Sequence, residues 1–312
     1  MSHYLVTGGA GFIGSHLVDA LLSAGHQVRV LDDLSTGKRA NLDPATELVC
    51  GDVSDPAAVR AAAAGVDGCF HLAAVASVGR ANEDWVGVHR VNLGGTIAVL
   101  DAARAAGGLP VVYASSAAVY GDSDAIVSED TLPVPLGAYG ADKLGSELHA
   151  RAGAVVHKVP SIGFRFFNVY GPRQDPTSAY SGVISLFSAA LAAGRGITLH
   201  GDGLQTRDFV YVGDIVTFLL AGMAHASGHP GALVLNACTG NETSVRGLAE
   251  TLGELLQRRP SITSGPARAG DIRRSVGNPA RAQALLGVVA TTPLSVGLER
   301  TLRQMATLEQ VA

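Results

Sequence analysis

The chain has 312 residues, 47% of them apolar and 16% charged; this length suits a large α/β domain with a smaller second lobe, and the composition argues against disorder. A net charge of −4 leaves no electrostatic footprint for nucleic acid or an anionic membrane, so an anionic ligand has to be met by a few local Arg, Lys or backbone N–H groups. No apolar stretch approaches the ~18 residues that span a bilayer. The chain enters a strand at once (HYLVTGG), which leaves no room for a signal peptide. Cys50, Cys69 and Cys238 sit in apolar, strand-like runs without metal-ligand spacing, so buried core thiols in a reducing cytoplasm are expected and no metal is.

In chain order, Val-rich apolar runs at 4–7, 27–31, 47–50, 68–72 and 110–114 predict strands, and helical patterns at 13–24, 56–64 and 85–106 fall between them. Continuously apolar strands are expected where helices cover both faces of a sheet. Strand–helix alternation of this kind predicts an α/β fold with a doubly wound parallel sheet, the Rossmann architecture. Residues 163–168 and 233–237 read as a sixth and seventh strand, with a helix at 213–226 between them. The pieces at 180–193, 197–200 and from 245 onward are punctuated by Gly and Pro and predict a smaller, discontinuous α/β substrate lobe over the carboxyl ends of the sheet. The expected division is 1–167 as the Rossmann domain, with 210–238 returning to it, and 168–209 with 239–312 as the substrate-binding lobe.

The first strand runs into Gly8-Gly9-Ala10-Gly11-Phe12-Ile13-Gly14, which contains G-x-G-x-x-G and opens a helix. A Cβ in such a turn would hold the backbone away from a pyrophosphate seated on the helix N-terminus. Asp32 ends the second strand, 18 residues beyond Gly14, where a carboxylate accepts from both ribose hydroxyls and repels a 2′-phosphate; NAD is therefore expected over NADP. Lys38 and Arg39 follow closely and are the residues that would serve a phosphate. For Asp52, after the third strand, two readings stand: a contact to the adenine amine, or the N-cap of the helix beginning at Pro56.

Tyr139 and Lys143, four apart, share one helix face. A free phenol titrates near ~10, too high for a base at neutral pH; a nearby ammonium and a cationic nicotinamide ring both lower it. Together TGGAGFIGSH, HLAA, SSAAVYG, YGADK, RFFNVYGPRQDP and QTRDFVYV, in that order, resemble the extended short-chain dehydrogenase/reductase family, and within it the NAD-dependent nucleotide-sugar 4-epimerases of the UDP-glucose and UDP-N-acetylglucosamine type. The likeness covers essentially the whole chain.

The resemblance implies catalysis by Ser116, Tyr139 and Lys143: Tyr139 takes the proton of the sugar 4-hydroxyl, Ser116 bridges that hydroxyl to Tyr139, and Lys143 bonds the nicotinamide ribose. C4 is transiently oxidised, the 4-keto sugar turns within the pocket, and reduction on the opposite face inverts C4. Cofactor contacts are implied at Gly8, Gly11, Phe12, Ile13, Gly14, Asp32, Asp52, Val53, Leu72, Ala73 and Ala74, besides Tyr139 and Lys143. Substrate contacts are implied at Asn168, Arg207 and Arg268 for the diphosphate or sugar, Leu199 and His200 for the base, Asp271 for the uridine ribose, and Ser275 as a small gate beside C2 that admits an N-acetyl group. A one-residue slip would instead bring Arg274 to the sugar. His71 reads as a packed strand residue. The family also implies a homodimer through helices at 85–106 and 138–151, with Gly94, Gly95, Ala98 and Ala102 permitting close approach; the alternative is that these small residues pack on the sheet.

Two positions depart from the family: Ala76 stands where a cofactor-contacting Lys is common, and Val183 where an asparagine is. Sugar 4,6-dehydratases need an Asp-Glu pair after the Ser116 position and UDP-glucuronate decarboxylases a Glu there; Ala117 and Ala118 supply neither. A UDP-glucuronate 4-epimerase remains the alternative within the class, and a non-catalytic NAD-binding sensor or scaffold the alternative outside it.

Overall fold

The structure, a computed structural model, describes residues 1–175, 182–266 and 272–311, with side chains through residue 305. The first half builds β1 (His3–Thr7), α1 (Phe12–Ser23), β2 (Gln27–Asp32), β3 (Glu47–Cys50), α2 (Pro56–Ala62), β4 (Gly68–His71), α3 (Val78–Glu83), α4 (Trp85–His89), α5 (Gly95–Ala105), β5 (Val111–Ser116), α6 (Ala138–His157) and β6 (Ser161–Phe166). The second half continues with β7 (Asn168–Tyr170), α7 (Val183–Ala192), β8 (Ile197–His200), β9 (Thr206–Arg207), β10 (Phe209–Tyr211), α8 (Val212–Gly228), β11 (Ala232–Ala237), β12 (Thr243–Ser244), α9 (Val245–Leu255), β13 (Ile262–Gly265), β14 (Arg274–Ser275), α10 (Ala280–Leu286) and α11 (Leu294–Val311).

Seven strands form one parallel sheet in the order β11-β6-β5-β4-β1-β2-β3. Strand order reverses between β1 and β4, so the crevice at their carboxyl ends is where such a sheet holds a ligand. Apolar clusters cover both faces: Val6, Phe70, Val112, Phe164 and Phe218 belong to one, and Leu5, Leu31, Cys69, Val111 and Tyr113 to the other. A separate cluster, including Ile184, Leu199, Phe209, Leu248 and Leu298, is the core of the smaller lobe. That lobe is stitched by short ladders, β8 with β13, β10 with β7, and β12-β9-β14.

Several elements differ from expectation. The helix expected over 85–106 is present without interruption over 85–105 but widens to a π turn at residues 90–94, between α4 and α5. The short helix α3 has no counterpart among the sequence predictions; Ser77 caps it, its hydroxyl accepting from the Arg80 N–H at 3.0 Å. The sixth strand, expected at 163–168, is two: β6 stays in the main sheet, and beyond Phe167 the chain crosses into the small lobe as β7. Cys50 is exposed, because β3 is the edge strand, whereas Cys69 and Cys238 are buried. Of the small residues expected to permit close approach between subunits, Gly95, Ala98 and Ala102 are buried, and a Cβ on Gly95 would meet the Val53 side chain at 2.8 Å, whereas Gly94 is half-buried and a Cβ on it would meet only the His89 carbonyl oxygen, at 3.9 Å. Among the described residues no helix is long and apolar enough to cross a membrane.

Candidate active site

At the end of β1 the chain turns at Gly8 with φ +70°, and a Cβ there would stand 2.6 Å from the Ala73 backbone nitrogen. On Gly14 a Cβ would collide with the Gly8 carbonyl oxygen, whereas on Gly11 it would meet only that oxygen, at 3.2 Å. Gly8 and Gly14 are thus closed by the protein's own backbone, and Gly11 borders open space. That space is a cavity of about 480 Å³ lined by Gly8, Gly11, Phe12, Ile13 and Gly14 and running from Asp32 to Tyr139. Helix α1 has no side-chain cap and no acid in its first turn, so the unpaired N–H groups and positive end of its dipole are available to an anion.

Asp32 is 6% exposed. Its Oδ2 accepts from the Ala10 N–H and its Oδ1 from the Leu34 N–H, both at 2.9 Å, which orients the carboxylate and leaves lone pairs for further donors. Burial raises its pKa, against the two backbone N–H groups that lower it. The cations that would serve a 2′-phosphate are engaged elsewhere. Lys38 pairs with Asp175 at 3.3 Å, and Arg39 donates to the Pro44 and Thr46 carbonyls. Asp52 lines the cavity and does not cap α2. Asp55 does that, accepting from the Ala57 N–H at 2.9 Å. Asp52 instead holds the Ser54 N–H and lies 3.5 Å from Arg90. Val53, Leu72, Ala73 and Ala74 also line the cavity. An anion-ready helix terminus, a turn open at Gly11 and an oriented carboxylate fit a dinucleotide with an unphosphorylated ribose diol.

Ser116, Tyr139, Lys143 and Asn168 line the opposite part of the same cavity. Ser116 ends β5, while Tyr139 and Lys143 stand one turn apart on α6, with the Lys143 Nζ 5.9 Å from the Tyr139 ring centroid. Burial raises the Tyr139 pKa, and a hydrogen bond with Ser116 opposes it. Lys143 Nζ donates to the Ala114 carbonyl at 2.9 Å, and burial lowers its pKa to about 8 despite the Asp142 carboxylate beside it. The protein's own groups thus hold the Tyr139 phenol above its ordinary pKa, and a cation brought beside it would act in the opposite direction.

Beneath the site, His71 packs between Thr7 (2.8 Å) and Thr96 (3.1 Å), and burial lowers its pKa to about 3. It is a neutral packed residue, buried at the end of β4. Asn92, which sequence reasoning missed, comes from the π turn. Its Oδ1 accepts from the Val75 N–H at 2.8 Å and its Nδ2 donates to the Val75 carbonyl at 3.2 Å, fixing the loop after β4 against the cavity. The widened turn is the local signal, but no periodicity announces it.

Of the remaining substrate candidates, Leu199, His200, Arg207 and Ser275 lie in the small lobe and do not line the cavity. Leu199 is buried in that lobe's core with its backbone in the β8–β13 ladder opposite Ser264, and His200 Nδ1 is 3.2 Å from the Pro266 carbonyl oxygen. Arg207 donates to the Thr206 and Ile272 carbonyls, and Ser275 sits directly opposite it in the β9–β14 ladder. Arg274 is turned away, pairing with Glu242 at 2.7 Å and donating to the Asp124 carbonyl at 2.7 Å. Arg268 and Asp271 lie outside the described residues. Ala117 and Ala118 open a single 3₁₀ turn after Ser116 and bring no carboxylate to it. Among the described residues no cluster of three or more His, Cys, Asp or Glu is placed to hold a metal.

Comparison with known proteins matches residues 4–238 to the family described as NAD dependent epimerase/dehydratase. A UDP-glucose 4-epimerase of Mycolicibacterium smegmatis is 39% identical over 306 residues, covering 95% of this chain and 96% of its own. The crystal structure of a Thermotoga maritima UDP-glucose 4-epimerase with UDP-glucose superposes with a TM-score of 0.94 at 31% identity, covering 98% of this chain and 99% of that one. That of a Thermus thermophilus UDP-glucose 4-epimerase with NAD gives 0.89 at 33% identity, covering 97% and 99%.

Proposed function

The chain belongs to the NAD dependent epimerase/dehydratase family, and from that premise we propose that it inverts C4 of a UDP-sugar, UDP-glucose and UDP-galactose first, through a transient 4-keto sugar. The observation that carries this is the convergence of Ser116, Tyr139 and Lys143 on the cavity that the Gly8–Gly14 turn and Asp32 also line, with no acid at 117 or 118 to divert the keto sugar into elimination. NAD, when bound, supplies a reversible acceptor for the hydrogen on C4. Tyr139 Oη takes and returns the 4-hydroxyl proton, Ser116 shares it, and Lys143 holds the nicotinamide ribose. Gly8, Gly11, Phe12, Ile13 and Gly14 seat the pyrophosphate, Asp32 the adenosine ribose, and Asn168, Arg207 and Arg268 the substrate diphosphate. Ser275, opposite Arg207, offers less bulk beside the sugar than an aromatic would, so N-acetylated sugars are accepted as well. The two-lobe division at 167/168 with 210–238 returned to the first lobe is part of the same reading, as is a cytoplasmic homodimer. Three unpaired cysteines support the reducing compartment.

The test is incubation of the purified protein with UDP-glucose without added NAD, the C4 epimers being resolved by NMR. Wild type is expected to reach an equilibrium mixture. Tyr139→Phe is expected to lose about a hundred- to ten-thousand-fold in rate while keeping NAD bound. No epimer from wild type with added NAD, or near-normal turnover by Tyr139→Phe, would overturn the assignment.

A further inference from the structure

We propose that residues 171–175, the turn leaving β7, are a strap that retains the dinucleotide, and that Arg173 is its latch. The inference rests on the NAD-binding reading above.

Gln174 lines the same cavity as the glycine turn, so the strap borders the cofactor's space. Its neighbours are fastened across both lobes. Arg173 Nη2 donates to Asp19 Oδ2 at 2.7 Å, and the Arg173 backbone N–H donates to Gln304 Oε1 on α11 at 2.6 Å. His16 Nε2 lies 2.9 Å from the Pro172 carbonyl oxygen, and Lys38, in the loop that follows Asp32, lies 3.3 Å from Asp175. Gln174 Oε1 accepts from the Ser185 hydroxyl on α7 at 2.9 Å.

The spacing on α1 gives the strap its direction. Phe12, His16 and Asp19 are four and three residues apart and share one face. Phe12 lines the cavity; His16 and Asp19 take the strap one and two turns further on. The strap therefore lies along the stripe leading out of the cavity, on the helix whose N-terminus seats the pyrophosphate. Arg173 has φ +67°, a left-handed conformation that non-glycine residues hold only where the surroundings over-determine it. Here α1, through Asp19, and α11, through Gln304, fix it. A bound molecule whose way out is closed by such a contact leaves slowly, and the effect is on the off-rate. Arg173 acts as a positioning residue, through the strap.

The experiment follows release of bound NAD from the whole protein by exchange against excess radiolabelled NAD, beside thermal melts. Arg173→Ala and Asp19→Asn are each expected to release NAD at least tenfold faster. The exchanged pair Asp19→Arg/Arg173→Asp is expected to return the rate toward wild type, which a merely structural role would not produce. Should Arg173→Ala fail to fold, Asp19→Asn and the charge-exchanged pair carry the test. Release within twofold of wild type in both single variants, or no recovery in the exchanged pair, overturns the strap. A wild type that neither carries nor binds NAD by calorimetry overturns the cofactor reading itself.

Discussion

Burial takes Lys143 from an ordinary pKa of 10.5 to about 8, so at neutral pH the folded protein holds a buried ammonium at a cost. Between about pH 8 and 10.5 the unfolded chain binds this proton and the folded one does not, so stability attributable to Lys143 rises with pH across that window. The full shift corresponds to about 3 kcal/mol. Lys143→Met, which keeps the volume and removes the charge, is expected to be more stable than wild type at pH 7 in NAD-free protein, with the gap closing toward pH 10.5. Urea unfolding at several pH values measures it, and a gap independent of pH would contradict the burial account. Asp32 gives a second test at the same scale. Its carboxylate is held by two N–H groups and faces the cavity beside cations engaged elsewhere. Asp32→Ala is expected to lose about ten- to a hundredfold of the preference for NAD over NADP, read by calorimetry with both cofactors. Equal wild-type affinity for the two would remove Asp32 from the ribose.

Among elements, the β1–α1 turn separates folding from binding glycine by glycine. A Cβ on Gly14 meets the Gly8 carbonyl and the Gly9 backbone, neither of which can yield, whereas a Cβ on Gly11 meets only the Gly8 carbonyl oxygen, at 3.2 Å. Gly14→Ala is expected to cost about 1–3 kcal/mol of stability even without ligand. Gly11→Ala is expected to fold with near wild-type stability and to bind NAD weakly. Denaturant unfolding of NAD-free protein and calorimetry on both variants check the pair; a Gly11→Ala protein binding NAD normally would show that the pyrophosphate does not pass there. The π turn at 90–94 works similarly at one remove: it presents Asn92 to Val75 and so shapes the cavity wall after β4.

For the whole molecule, Gly95, Ala98 and Ala102 pack inward, and of the four small residues only Gly94, in the π turn before α5, is left half-buried. The same helices also carry exposed apolar side chains. Trp85 and Val86 on α4, Ile97 on α5, and Leu148, Val155 and Val156 on α6 are exposed, an apolar set of the kind that marks an interface. Light scattering at micromolar concentration is expected to give twice the 31.8 kDa chain mass, and Leu148→Glu to shift it toward the monomer. A monomeric wild type would refute the dimer.

The sequence by itself determined whatever depends on short range. Hydrophobic period set strand and helix types, the G-x-G-x-x-G run set the glycine turn that lines the cavity, and the four-residue step from Tyr139 to Lys143 set a shared face, because each follows from backbone geometry within a few residues. Boundaries moved where tertiary contacts outweighed local pattern, as at Phe167, where the chain leaves the sheet for the small lobe. Only the tertiary structure decided how polar side chains are engaged. Asp55 and not Asp52 caps α2; Arg274 turns to Glu242 and Asp124 and leaves Ser275 beside Arg207; Arg173 reaches Asp19 across 154 residues. A charged side chain pairs with whatever the fold carries within about 4 Å, and separation along the chain holds no information about that distance.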